Sequence, residues 1–526
     1  MVVNMIFSLL YRGLIVLLLI YFLKFFRNGY IARRRVKSLA AQGIPIATYS
    51  LFFGHLGIFG DFRQAHPPDV NIHVFHTWLA KTYQKYFPGL EKIPPVVYLD
   101  LWPLGPSFAL VYDATAIPQF TQAKVLPKFN GSVDFMEPLT SNLDIVTTEG
   151  ALWKTWRSRF NPGFGSRNII ALLPELIEEV SVFAHVLKGL TGKDHGWGPV
   201  FQLKEKASNL TFDIICRMTL DMQFHQQTSK TDIPLKKAYL DQLSLMSLQN
   251  NSARGILERK MPWHRTIINR NNRLMHNLIK PFIDAKLQSD GSDTTSQAKT
   301  VVELAIRHID KSDSPKSSFK PTADSQFINI LISNIKAFMF AGQDTTTSTI
   351  CFMFKFLQDN PECLARLRAE HDEVLGVNPE DASKALIANP HLLYNLPYTL
   401  GVAKETLRLC PLAAPAKEPP SADFCLTVPS SPIRYPLEGF APWIAMGGIQ
   451  RSPDYWERPT EFLPERWVAS EGDPLYPRKD AWMPFSIGPR NCIGIELALA
   501  ELRLVCVFVA RTFDIGEAWE DWDKKQ

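Results

Sequence analysis

Between Asp324 and Gln358 the chain reads as one long helix whose centre, FINILISNIKAFMFAGQDTTTSTICFMFKF, is apolar on nearly every face. A helix without a polar side has to be covered all round, so this one is expected inside the protein. Asn360-Pro361 ends it, because the proline ring cannot continue a helix. Asn329, Asn334, Lys336 and Asp344 argue against a membrane span. Helical spacing of apolar residues marks four further helices, Ile169–Leu190, Ser208–Leu220, His264–Leu287 and Thr300–Lys311. Another helix runs from Leu396 to Cys410-Pro411, and a last one from Gly494 toward Val509. Strand-like sequence is confined to Pro94–Asp100 and to the Pro-rich stretch Ala413–Trp443. The expected class is mainly α with small β-sheets, one large domain behind an N-terminal anchor.

With 526 residues, 46% apolar and 21% charged, the composition is that of an ordinary globular protein, neither disordered nor fibrous. A mean hydropathy of −0.06 excludes a multi-span membrane protein. Length alone would allow about three domains. The net charge of +5 is mild, and no long basic run is interleaved with aromatics, so nucleic acid is not expected as a partner. There is no internal repeat and no glycine-rich phosphate loop. Ser289–Gln297 and Lys311–Ser325 read as polar surface connections. The seven cysteines are scattered, odd in number and without zinc spacing, which fits a reducing compartment better than a disulfide framework.

Met5–Phe26 reads MIFSLLYRGLIVLLLIYFLKFF and would make a helix of roughly 33 Å, enough to cross a bilayer. Arg12 is a costly guest there unless it snorkels. Arg27, Arg33, Arg34, Arg35 and Lys37 follow the apolar run, so the positive-inside rule puts the bulk of the chain in the cytosol. A cleaved signal peptide would carry its charges before the run. Residues 1–27 are therefore expected to be an uncleaved anchor, 28–54 a basic linker and 55–526 the large folded domain. Asn130 and Asn209 sit in N-x-[ST] triplets and, facing the cytosol, stay unmodified.

Chemistry concentrates at Phe485-Ser-Ile-Gly-Pro-Arg-Asn-Cys-Ile-Gly494. Gly488 and Gly494 bracket Cys492 and permit turns that bring backbone close to a flat ligand. Backbone N–H groups and the start of the next helix favour a thiolate, and Arg490 supplies a cation two residues away. A lone cysteine is more often a small buried hydrophobe, but not in such a setting. The decapeptide matches the FxxGxRxCxG loop of the cytochrome P450 superfamily, and the chain resembles a membrane-anchored eukaryotic haem-thiolate monooxygenase with a fungal character. The resemblance implies a P450 fold, haem b with Cys492 as the axial thiolate of its iron, Phe485 shielding the sulfur and Arg490 paired with a haem propionate.

Four further matches follow in family order. Ala341-Gly342-Gln-Asp344-Thr345 interrupts the buried helix. Glycine there costs roughly 1 kcal/mol, and a hydroxyl turned from Thr345 onto the Ala341 carbonyl would help loosen one turn and leave room for O2 and water. Asp344 and Thr345 resemble the family's acid–alcohol proton relay, where a plain reading would be a polar kink. Glu405 and Arg408 share a helix face and match ExxR. Arg466, in Pro464-Glu-Arg-Trp467, matches the third member of that network, against the plain alternative of a surface ion pair. Trp153 and Arg157 look like the WxxxR pair that reaches a haem propionate, although an amphipathic helix would also explain them. One departure stands out: where many members carry a propionate-binding Arg about ten residues past ExxR, this chain has Lys417 and Glu418.

The implied activity is insertion of one oxygen atom of O2 into a lipophilic small molecule, such as an intermediate of secondary metabolism. With no flavin or nicotinamide fingerprint in the chain, electrons would come from an NADPH-dependent flavoprotein reductase on the same endoplasmic reticulum membrane, docking near Arg478 and Lys479. Pocket walls are expected from Phe338, Phe340, Leu412–Pro415, Gly131–Val146 and Leu243–Met261. The alternatives are a haem-thiolate isomerase or dehydratase, which would often lack the acid–alcohol pair, and a non-catalytic haem-binding membrane protein.

Overall fold

A computed structural model of the chain describes residues 2–193, 196–246, 261–288, 299–312 and 325–524. Residues 247–260 of the Leu243–Met261 wall, the whole Ser289–Gln297 connection and residues 313–324 of the Lys311–Ser325 connection lie outside the described residues. Helices dominate and the sheets are small, as expected. The chain forms two compact units.

The first unit comprises Met1–Phe129, Ala413–Ser452 and Ser486–Arg490. It opens on a helix, Val2–Ala41, that continues through the basic residues expected to begin the linker. No breaker interrupts them before Gly43, which adopts a left-handed φ of +78°. Val36 and Leu39 are buried, so this later part of the helix docks on the unit. The most apolar 18-residue stretch within Leu10–Ala41 has a mean hydropathy of 1.7 and is only 6% buried, which fits a membrane anchor. A three-stranded sheet follows the order β1 (Val96–Leu99), β2 (Phe108–Val111), β5 (Ala441–Ile444). β1 and β2 are antiparallel, with Val96 opposite Val111, while β2 and β5 are parallel, with Leu110 opposite Trp443. The strands are short and almost wholly buried, which explains why they carry apolar runs rather than alternation. β3 (Cys425–Val428) and β4 (Ser431–Pro436) form an antiparallel hairpin.

The second unit comprises Asn130–Leu412, Pro453–Phe485 and Asn491–Gln526. The expected long helix spans Ser325–Asp359 without a break, and Leu203–Leu220 packs along it. Two of its buried polar residues find partners in neighbouring segments. Asn334 accepts the Ile145 N–H at 2.9 Å and donates to the Ile330 carbonyl at 2.8 Å. Lys336 donates to Asn272 at 2.9 Å, and burial pulls its pKa down to about 8. The helix expected over Ile169–Leu190 is two, Ser166–Ala171 and Leu173–Lys188, with Pro174 in the first turn of the second. The other helices that matter for the site are Gly150–Phe164, Pro397–Leu409 and Ile495–Val505. All seven cysteines are free. Asn209 is buried, and its side-chain oxygen accepts a bond from Lys236.

Candidate active site

Cys492 stands three residues ahead of the Ile495–Val505 helix, and its N–H donates to the Phe485 carbonyl at 2.9 Å, closing the loop between them. The side chain is open to solvent on one side and surrounded by protein on the others. Desolvation therefore raises the thiol pKa, while the Gly494 N–H and the Arg157 guanidinium pull it back. The free thiol is thus not the ready thiolate that the loop's N–H groups alone would favour. A bound metal would have to displace its proton. Arg157 grips the loop directly, donating to the Asn491 carbonyl at 2.9 Å and to its Oδ1 at 3.0 Å. The i, i+4 pair Trp153 and Arg157 lies on the Gly150–Phe164 helix, with Trp153 packed against the core and the guanidinium committed in part to the cysteine loop.

In the first unit, Gly488 has φ +84°, and a Cβ there would stand 2.4 Å from the Thr121 carbonyl oxygen. Gly488→Ala is accordingly expected to lower stability by about 1–3 kcal/mol, read as an earlier denaturant midpoint. Arg490 is half-buried. Lys417 is buried, its N–H on the Pro442 carbonyl at 2.9 Å and its backbone bridged to Lys128.

The polar insert of the long helix presents one open face. Ala341, Asp344 and Thr345, spaced i, i+3 and i+4, are exposed in the middle of a mostly buried helix. The Thr345 hydroxyl donates to the Ala341 carbonyl at 2.7 Å, as expected. The expected loosening of this turn is absent, since the helix stays continuous. Gly342 has another reason to be there: a Cβ would come within 3.1 Å of Ile215, so its absence lets the Leu203–Leu220 helix approach. Thr211 reinforces that contact, donating to the Gln343 carbonyl at 3.2 Å and meeting the Thr347 hydroxyl at 2.8 Å.

Glu405, Arg408 and Arg466 are wholly buried and joined. Arg408 binds the carboxylate with two N–H bonds, at 2.9 and 2.8 Å, and Arg466 adds one at 3.1 Å. Leu463 N–H and Trp467 Nε1–H complete the carboxylate's partners, each at 3.1 Å. Arg408 also donates to the carbonyls of Pro459 and Glu461, at 2.7 and 3.0 Å. From here a chain of rings leads to the cysteine loop: Trp467 meets Trp482 at 5.3 Å, and Trp482 meets Phe485 at 5.9 Å. Trp482 also donates to the Lys404 carbonyl at 3.2 Å.

Among the expected pocket walls, Phe338 is a correction. It is buried, with its ring 5.0 Å from both Phe160 and Phe164, so it builds core rather than an open wall. Phe340 is less buried and lies 5.9 Å from Phe135, within the Gly131–Val146 segment. Sequence reasoning missed Glu501. Its carboxyl is buried on the Ile495–Val505 helix, hydrogen-bonded to Thr346 and with Oε2 unpartnered, and desolvation raises its pKa well above the ordinary 4.5. A glutamate in a helix matching ELALAELR gives no sign of which side it faces. Its folded state keeps a proton that the unfolded chain releases above pH 4.5, so its stabilising effect fades as pH rises. Glu501→Gln should therefore gain on the unsubstituted chain by up to about 1.4 kcal/mol per pH unit above that point. Parallel thermal melts from pH 5 to 8 measure the difference.

Among the described residues no group of three or more His, Cys, Asp or Glu could hold a metal ion. A bare ion would find too few ligands at Cys492. An accessible thiol beside a cation and a helix start does suit an iron that brings four nitrogen ligands of its own, and haem fits this donor set.

Comparison with known proteins agrees. Residues 55–522 match the family model described as Cytochrome P450. The chain is 34% identical over 508 residues to cytochrome P450 monooxygenase polC of Polytolypa hystricis, covering 95% of this chain and 86% of the relative. It is 27% identical to cytochrome P450 monooxygenase acrF of Aspergillus aculeatus, over 83% of this chain and 87% of that one. A crystal structure of a cytochrome P450 shares the fold at a TM-score of 0.66 and 17% identity, covering 85% of this chain and 93% of the other.

Proposed function

The chain belongs to the cytochrome P450 family, and from that premise we propose a membrane-anchored haem-thiolate monooxygenase that oxidises a lipophilic small molecule of secondary metabolism. The observation that carries the reading is Cys492, an accessible thiol beside the Gly494 N–H and the Arg157 charge, its own backbone N–H tied to the Phe485 carbonyl. Haem b, when bound there, supplies the activation of O2. One oxygen atom enters the substrate, and the other leaves as water with two electrons and two protons.

The chain's own residues have separable tasks. Cys492 ligates the iron through its sulfur, with the Phe485 ring beside it. Arg157 fixes the loop through Asn491 and, with Trp153, Arg490 and Lys417, is a candidate for the propionates. Gly488 and Gly494 allow the loop's close approach. Asp344 and Thr345 hold and pass protons on the open helix face beside Ala341 and Gly342. Glu405, Arg408 and Arg466 hold the scaffold under the loop. The exposed residues Arg478 and Lys479 offer positive charge to an NADPH-dependent flavoprotein reductase. Residues 1–27 would anchor the chain in the endoplasmic reticulum membrane, with residues 55–526 as a cytosolic catalytic domain behind the 28–54 segment.

The test is reconstitution of the full chain with haem, a P450 reductase and NADPH, offered a panel of lipophilic compounds. Product formation that requires NADPH and O2 supports the reading. Turnover without either assigns the chain to the isomerase or dehydratase class, and no turnover on any compound favours a non-catalytic haem protein.

A further inference from the structure

The buried network around Glu405 is out of balance in two ways, the first of them in charge. Two guanidiniums, Arg408 and Arg466, face a single carboxylate, and all three side chains are fully enclosed. One positive charge is left over in a setting where an uncompensated ion is costly. The neighbouring pair of Arg458 and Glu461 brings no net charge to offset it, since the two are exposed and bonded to each other. Burial pulls the Arg466 pKa down, against the upward pull of Glu405, and the Arg408 charge acts in the same direction as burial.

The second imbalance is in hydrogen bonds. Arg466 donates from Nε to Glu405 at 3.1 Å and from Nη2 to the Arg458 carbonyl at 2.7 Å. Its Nη1 is buried and has no acceptor among the described residues. Trp456 is 2% exposed, and its indole Nε1–H is likewise buried without an acceptor among them. The Trp456 ring centre lies 5.0 Å from the Arg408 guanidinium carbon and 5.9 Å from that of Arg466, so the two orphan donors belong to stacked neighbours. The acceptors that this network offers are already engaged. Glu405 takes bonds from Arg408, Arg466, Leu463 and Trp467, and Arg408 holds the carbonyls of Pro459 and Glu461.

A buried donor without an acceptor costs free energy, and two such donors side by side call for a ligand. Both are N–H groups next to excess positive charge, which is the recognition chemistry of an anion. A water molecule would bring hydrogens of its own that need acceptors here. Enclosure by Trp456, Arg408 and Arg466 selects a small ion. We propose that the Trp456 Nε1–H and the Arg466 Nη1 together bind one monovalent anion of the size of chloride, which neutralises the network. Because Trp467 joins Glu405 to Trp482 and Phe485, the ion also steadies the cysteine loop.

The experiment follows thermal melts of the full haem-loaded chain in detergent, at constant ionic strength, as sodium gluconate is replaced by sodium chloride. The midpoint should climb by about 2 °C and level off, as filling of a single site requires. Trp456→Phe keeps a ring beside the guanidiniums but deletes the indole N–H, and its midpoint should lose this saturable response. Equal midpoints of the unsubstituted chain in the two salts would overturn the proposal. So would a saturable chloride response that survives Trp456→Phe, because the ion would then act elsewhere. If that variant does not fold, crystals of the unsubstituted chain soaked in bromide decide the matter. An anomalous peak beside Trp456 Nε1 and Arg466 Nη1 supports the site, and its absence there refutes it.

Discussion

Cys492→Ser is expected to yield a folded chain that lacks the strongly red-shifted absorption of the reduced carbon monoxide complex and turns over at background. Serine preserves the shape of the loop, since the Cys492 N–H bond to Phe485 is made by backbone. What changes is the donor. A thiol in this position is already held above its ordinary pKa by desolvation, and an alcohol gives up its proton far less readily. The soft, strongly donating ligand is lost, although the same surroundings remain. Haem content, reduced carbon monoxide spectra and thermal melts on one preparation separate the effects. A variant with an unaltered spectrum would discard the ligand assignment.

Removing the Glu405 carboxylate is expected to have the largest effect on stability. Its oxygens accept three bonds from Arg408 and Arg466 and one each from Leu463 and Trp467, all in a fully buried setting. Glu405→Ala leaves two guanidiniums without their counter-charge, a loss of about 3–5 kcal/mol. The exposed pair of Arg458 and Glu461 is the built-in comparison, because a solvent-screened ion pair contributes little to stability. Denaturant unfolding of Glu405→Ala beside Glu461→Ala measures both. Equal midpoints would show that the buried network carries no special burden.

The long helix and the cysteine loop were legible because each is written in consecutive residues. A helix apolar on every face has one physical destination, and the glycines flanking Cys492 have few uses. ExxR was legible only through resemblance: its spacing places Glu405 and Arg408 on one face, but burial and the reach to Arg466 are tertiary facts. The β2–β5 pairing joins Phe108 to Ala441, and no local pattern records such a partner. Phe338 and Phe340 are identical in type and two residues apart, and packing alone sends the first into the core. Glu501 was missed for the same reason, since charge in a sequence reads as surface until a neighbouring helix covers it. Gly342 was read as a weak point in its helix. It serves instead as the notch that admits Ile215.

The rings of Trp467, Trp482 and Phe485 make a splint between the buried carboxylate and the sulfur-bearing loop. Heat or denaturant that frees one end slackens the other, so the tint of the purified protein and the integrity of this half of the fold should disappear together. A cuvette reading in the visible range would then double as an unfolding trace, with no added dye.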